Sequence, residues 1–342
     1  MPTPGSSADW AAWASVPWTR QTDDDSTGAG TAATIGWRKT GVPYLPLGTA
    51  GAQQTLDLWL PAADTSPNAP LPAADSLPRR PGGGTWIVFI HGGAWRDPLI
   101  TASSFTPAAT NLLRRATTTT TTTTEPNIAG LVSLNYRLSP HPAAPSQTAR
   151  HPDHIADVLA ALAFLRRLDI LAAGWILAGH SCGATLALQA VMSPARWGLP
   201  VSVPVPLPGP VPKPAVVVGF SGLYDLAGFV ARPPAGYAHL REAYRAFTAG
   251  AFGPDEAVWR AVCPATCEGR WVREWRARGM VVLVQSRQDT LVPYQQLEAM
   301  RARLEGEEAA EVRVMEAGGD HDEIWQEGGR MAEVLWEVAG DL

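Results

Sequence analysis

Five short runs of this chain, residues 86–90, 128–134, 175–178, 215–220 and 280–284, are almost wholly apolar. A half-exposed strand would alternate polar and apolar, so these runs predict strands buried on both faces. Residues 55–60 do alternate and read as an earlier strand, and residues 312–316 read as a late one. Helical patterns lie between. The clearest opens at His151-Pro152, with proline at the first helical position, and carries Ile155, Val158, Leu159, Leu162 and Leu165 at a spacing of three and four. Strands alternating with helices predict an α/β class: a mostly parallel central sheet with helices on both faces.

Composition adds boundaries to that plan. Residues 1–35 are rich in small and polar types, include Asp23-Asp24-Asp25, and are expected to be a flexible segment ahead of a single domain over 36–342. Three loop insertions interrupt the domain, near 61–84, 117–124 and 199–214. The first is crowded with Ala, Pro and Gly, the second is a threonine run, and the third alternates valine and proline. The proline-rich segment must be extended. It is read as a loop expansion rather than a docking segment. Residues 221–260 are expected to form a small cap or lid.

With 342 residues, 46% of them apolar, the chain can bury a sizeable core. A net charge of −5 without a basic concentration argues against nucleic acid or an anionic membrane as partner. No apolar run approaches the roughly 18 residues a spanning helix needs. The first residues lack the basic start and apolar stretch of a secretory signal. Three cysteines, Cys182, Cys263 and Cys267, suggest no disulfide framework, so a cytoplasmic, reducing location is expected. Cys263 and Cys267 have no further ligands close by in sequence, so no metal site is expected.

The chemistry begins at Gly179-His180-Ser181-Cys182-Gly183, between an apolar run and a helix-like stretch. A Gly-x-Ser-x-Gly turn between strand and helix is a nucleophile elbow, which lifts Ser181 above the sheet. Directly after the buried run 86–90 comes His91-Gly92-Gly93-Ala94-Trp95. Its adjacent glycines leave backbone N–H groups free to meet an oxyanion together with the amide of Cys182. His91 is expected to orient this loop by hydrogen bonding.

A base and its orienting acid should follow in the order Ser, Asp, His. Asp289 lies just past the run 280–284, and His321 sits on a loop after residues 312–316. These are expected to complete a triad with Ser181, with His321 as base and Asp289 holding its tautomer. Asp225 follows a buried strand too, but one strand too early, and reads as a helix cap or pocket residue. Asp320 and Asp322 are too close to His321 in sequence to face it. His239 lies in the expected lid, and the side chain of His180 should diverge from that of Ser181.

HGGAW, GHSCGA and GDHDEIW together resemble the α/β-hydrolase superfamily. More narrowly, with Asn135-Tyr136-Arg137-Leu138 and His151-Pro152-Asp153-His154, the chain is similar to the fungal kynurenine formamidases (arylformamidases) over roughly residues 55–340. The resemblance implies an α/β-hydrolase fold and hydrolysis of N-formyl-L-kynurenine to L-kynurenine and formate, in the tryptophan-to-NAD route. It requires no metal or organic cofactor. A homodimer is compatible with it, since related hydrolases often pair. Trp95, Tyr136 and Tyr224 are candidates for the walls of an aromatic pocket. A carboxylesterase on short acyl esters would use the same residues. A hydrolase-fold binding protein that had lost catalysis would be expected to lack one of them.

Overall fold

In the computed structural model, the structure describes residues 7–23, 32–80, 83–118, 125–171, 174–199, 211–275, 279–307 and 311–342. Among these, nine strands form one sheet: β1 (Thr19–Thr22), β2 (Thr34–Pro43), β3 (Thr55–Pro61), β4 (Thr85–Ile90), β5 (Ile128–Leu134), β6 (Ile176–His180), β7 (Val216–Phe220), β8 (Met280–Gln285) and β9 (Glu311–Glu316). Their spatial order is β1-β2-β3-β5-β4-β6-β7-β8-β9. β1, β2, β3 and β5 pair antiparallel, and the pairs from β5 through β4 to β9 are parallel.

The apolar runs became the middle of this sheet for the expected reason. Along β4, Ile87 and Phe89 face one core while Trp86, Val88 and Ile90 face the other, so no position can be polar. One face is covered by α2 (Thr106–Thr118), the short α9 (Glu323–Glu327) and α10 (Gly329–Gly340). The other is covered by α3 (Asp153–Arg167), α4 (Cys182–Val191) and α8 (Gln295–Glu307). The chain therefore leaves β4 toward one face and the neighbouring β6 toward the opposite face. The crevice beyond the carboxyl ends of β4 and β6 is the point where a doubly wound sheet binds ligands. Both glycine-rich motifs lie there. Between β7 and β8 the chain builds a cap from α5 (Leu226–Ala231), α6 (Arg241–Phe252) and α7 (Glu256–Val262).

Two expectations need correction. The segment 1–35 was expected to be flexible, but its described parts belong to the fold. α1 (Ser7–Ala14) and β1 pack on the domain, with Trp13 and Trp18 buried. The anchor is Lys39 on β2, itself buried, whose ammonium donates to the carbonyls of Trp13, Val16 and Ala74 and lies over the rings of Trp13 (4.6 Å) and Trp18 (5.1 Å). Nor is Pro152 the first residue of α3: it precedes the helix, which starts at Asp153. Of the insertions, Thr117 and Thr118 close α2, and residues 119–124 and 200–210 lie outside the described residues. No described helix is long and apolar enough to cross a membrane.

Candidate active site

Ser181 joins β6 to α4 with φ 54° and ψ −122°, a conformation that costs a non-glycine residue about 1–3 kcal/mol. Its neighbours hold it there. The Ser181 amide donates to the Phe220 carbonyl (2.8 Å), and the Ser181 carbonyl accepts from Ala184 (3.0 Å). Glycine is required at both flanks of the turn. A Cβ on Gly183 would run into the carbonyls of Ile90 and His91, and one on Gly179 would meet the Gly183 carbonyl. Cys182 opens α4, so the positive end of that ten-residue helix lies beside Ser181.

The loop after β4 closes on the elbow from the other strand. A Cβ on Gly92 would sit 3.2 Å from the Cβ of Ser181 and 2.8 Å from His180 Nδ1. Gly93, Ala94 and Trp95 all take positive φ (92°, 50° and 59°). This tight curl is pinned from behind. Tyr136, stacked on His91 at 4.4 Å, donates its hydroxyl to the carbonyls of His91 (3.0 Å) and Gly92 (3.2 Å). His91 Nδ1 also donates to the Gly92 carbonyl (2.8 Å). In a trans peptide the C=O and the next N–H point in opposite directions. Holding the carbonyls of His91 and Gly92 on the Tyr136 side therefore turns the amides of Gly92 and Gly93 away from it. Neither amide meets an acceptor among the described residues. The Trp95 amide donates to Cys182 Sγ at 3.3 Å, and burial pushes that thiol up to about 11, so it stays protonated.

Asp289 and His321 come together across 32 residues of chain, with His321 Nδ1 donating to Asp289 Oδ2 at 2.8 Å, and both side chains are buried. Asp289 Oδ1 accepts from the amides of Leu291 (2.9 Å) and Val292 (2.7 Å). His180 ties His321 to the elbow: its Nε2 donates to the His321 carbonyl at 3.0 Å, and the two rings lie 4.7 Å apart. Burial holds the His180 imidazole well below the ordinary histidine range, so it is neutral. The side chains of His180, His321 and Asp322 crowd together in a way that could hold a metal ion. Each is already engaged, His180 by the His321 carbonyl, His321 by Asp289 and Asp322 by Trp325.

The rival acids take other places. Asp225 caps α5 by accepting from the Gly228 amide. Asp320 accepts from the amide and hydroxyl of Thr290 and from the His321 amide, clamping the loop of Asp289 to the loop of His321. Trp95, Tyr136 and Tyr224 are too buried to wall an open pocket, at 0–1% exposure. Trp95 instead supports the cap, meeting Phe252 (4.9 Å) and Phe247 (6.3 Å) of α6. A cleft of about 410 Å³ beside Arg137 and Asp153 is not lined by any residue of the elbow.

Sequence reasoning missed several contributors: Tyr136 as the tether of the glycine loop, Asp320 as a clamp, and Gln285 as a donor to the Asp289 carboxylate. It also missed Tyr237 of the cap, whose hydroxyl donates to the Asp289 carbonyl. Only Gln285 carried a signal, a polar residue ending an otherwise apolar strand.

Residues 87–334 match the model of the alpha/beta hydrolase family. The kynurenine formamidase-like hydrolase fscH of Fusarium equiseti is 35% identical over 304 residues, which span 85% of this chain and 91% of that protein. The kynurenine formamidase avaC of Aspergillus versicolor is 31% identical, over 83% of this chain and 94% of that protein. Among solved structures, esterase B from Lactobacillus rhamnosis superposes with a TM-score of 0.63, covering 97% of this chain and 92% of that one. At 16% identity this is a likeness of fold.

Proposed function

Because the chain belongs to the alpha/beta hydrolase family, among relatives named kynurenine formamidase, we propose that it cleaves the formamide of N-formyl-L-kynurenine to L-kynurenine and formate. The observation that carries the chemistry is the buried His321–Asp289 hydrogen bond beside a strained serine elbow. The choice of substrate rests on the kinship.

In this reading Ser181 Oγ attacks the formyl carbon while His321 takes the hydroxyl proton. Asp289 holds Nδ1 protonated, so that Nε2 is the basic nitrogen, and stabilises the imidazolium that forms. The amides of Gly92, Gly93 and Cys182 receive the oxyanion, with the amino end of α4 adding to the field. Collapse breaks the C–N bond, and His321 passes its proton to the departing aniline nitrogen. Water, deprotonated by His321, then attacks the formyl ester and releases formate and free Ser181. Every step uses side chains and amides of this chain and one water.

The test compares kcat/KM on N-formylkynurenine with that on p-nitrophenyl acetate, using purified protein. A formamide is the harder bond, so formamide efficiency matching or exceeding the ester supports the proposal. Preference for the ester by orders of magnitude would make the protein a carboxylesterase. Failure of a fluorophosphonate probe to label it would point to a binding protein.

A further inference from the structure

The last residue of β8 is a buried glutamine at the end of a strand whose preceding five residues are all apolar. Gln285 uses both protons of its amide: Nε2 donates to Asp289 Oδ2 at 3.0 Å and to the Val292 carbonyl at 2.9 Å. Both partners only accept, so the orientation of the amide is determined. Its own Oε1 is buried and has no partner among the described residues. Leaving a buried carbonyl unmet is costly, and an apolar residue would have filled the space without that cost. The amide is therefore retained for what its nitrogen holds.

That nitrogen shares Asp289 Oδ2 with the His321 imidazole. With Oδ1 taken by the amides of Leu291 and Val292, the carboxylate receives four donors, about as many as its lone pairs accommodate. Three of the four come from the segment 285–292 and set the rotation of the carboxylate before the histidine engages it. Val292 closes the ring, donating to Asp289 and accepting from Gln285. We propose that Gln285 is a positioning residue, fixing Asp289 Oδ2 in the orientation that holds the His321 imidazole. This rests on the reading of Ser181, His321 and Asp289 given above.

A role limited to shaping the turn through Val292 would predict a different behaviour with pH. Besides His321, the titratable groups set against the Asp289 segment are the hydroxyls of Tyr237 and Tyr244 from the cap, which donate to the carbonyls of Asp289 and Leu291, and Asp320 from the β9 loop, which binds Thr290. All of them are unchanged by substitution at 285.

The experiment measures kcat and KM for Gln285→Met and Gln285→Glu over about pH 5 to 9, on an aryl acetate and on N-formylkynurenine. Ser181→Ala runs in parallel, and thermal unfolding checks that each variant folds. Gln285→Met keeps the side-chain length without the donor. Its kcat should fall by about 10- to 100-fold through misplacement, with KM little changed. A carboxylate stripped of one donor holds the imidazolium more tightly, so the deficit should be greatest at acid pH and shrink as pH rises. Gln285→Glu can donate only while protonated, so its activity relative to wild type should fall as pH rises. Opposite slopes for the two variants support the proposal, and either slope suffices if the other variant does not fold. Wild-type rates, or losses by one constant factor at every pH, with Ser181→Ala inactive, would overturn it. An active Ser181→Ala would instead overturn the nucleophile reading, and this inference with it.

Discussion

His180 Nε2 donates a hydrogen bond of 3.0 Å to the backbone carbonyl of His321. The residue just before the elbow serine thus grips the main chain of the histidine expected to deprotonate that serine. Being neutral, His180 carries one ring proton. Donation from Nε2 leaves Nδ1 bare and turned toward Gly92, where only a hydrogen atom fits. One imidazole therefore touches both loops that flank Ser181.

Replacing His180 with Phe would keep the ring but remove the bond. The expected outcome is a fall in kcat of about 10- to 100-fold with little change in KM, because His321 loses its anchor while the crevice stays open. Steady-state kinetics together with slower, but not abolished, fluorophosphonate labelling of Ser181 check this.

The three acids should separate sharply. Asp289→Asn should cost about 10⁴-fold in kcat, since an amide stabilises the wrong imidazole tautomer. Asp320→Asn, which weakens the clamp between the two loops, should cost far less, and Asp225→Asn should affect stability more than rate. Ser181→Ala combined with His321→Ala should be no worse than either alone. Near-normal rates for Asp289→Asn alongside a dead Asp225→Asn would show that the acid is misassigned.

Stability should fall steeply in mild acid. Burial lowers His91 and His151 to about 4 and His154 to about 3, and His180 lies well below its ordinary value. The unfolded chain binds protons at these four of its seven histidines near pH 6.5, whereas the folded chain does not. The unfolded state thus holds more protons between about pH 6.5 and 4, so stability rises with pH across that window and is lost as pH falls through it. Urea midpoints measured from pH 7 to 4 should drop, and His154→Phe should reduce the slope.

Lys39 should matter more than any surface charge. Burial lowers its pKa to about 8, yet its ammonium meets three carbonyls and two indole faces. Lys39→Met should cost about 3 kcal/mol, since hydrogen bonds to a charged group contribute about 1.5–3 kcal/mol each and the carbonyls would be left unmet. Because two of those carbonyls lie in and just after α1 and the third in the 61–84 connection, limited proteolysis should cut first within the amino-terminal residues. Unchanged cleavage and melting temperature would rule out Lys39 as the anchor.

From sequence alone, the parallel core of the sheet could be read, because a strand buried on both faces favours apolar residues at nearly every position and so writes itself as an apolar run. The elbow and the glycine loop could be read too. There backbone must approach backbone at Gly92, Gly179 and Gly183, and only glycine permits it. The pairing of Asp289 with His321 followed from chain order after the elbow. What tertiary structure alone decided lies where a residue's meaning depends on partners far along the chain. Residues 1–35 read as small and polar, yet Lys39 of β2 ties them to the fold by donating to carbonyls 23 to 35 residues away. Trp95 and Tyr136 suggested a pocket, yet folding spent them on supporting the cap and the glycine loop. Gln285, one residue past the apolar run 280–284, had no role until Asp289 and Val292 turned back over it. Local pattern records which side of a residue faces the core, and only the folded chain determines what it meets there.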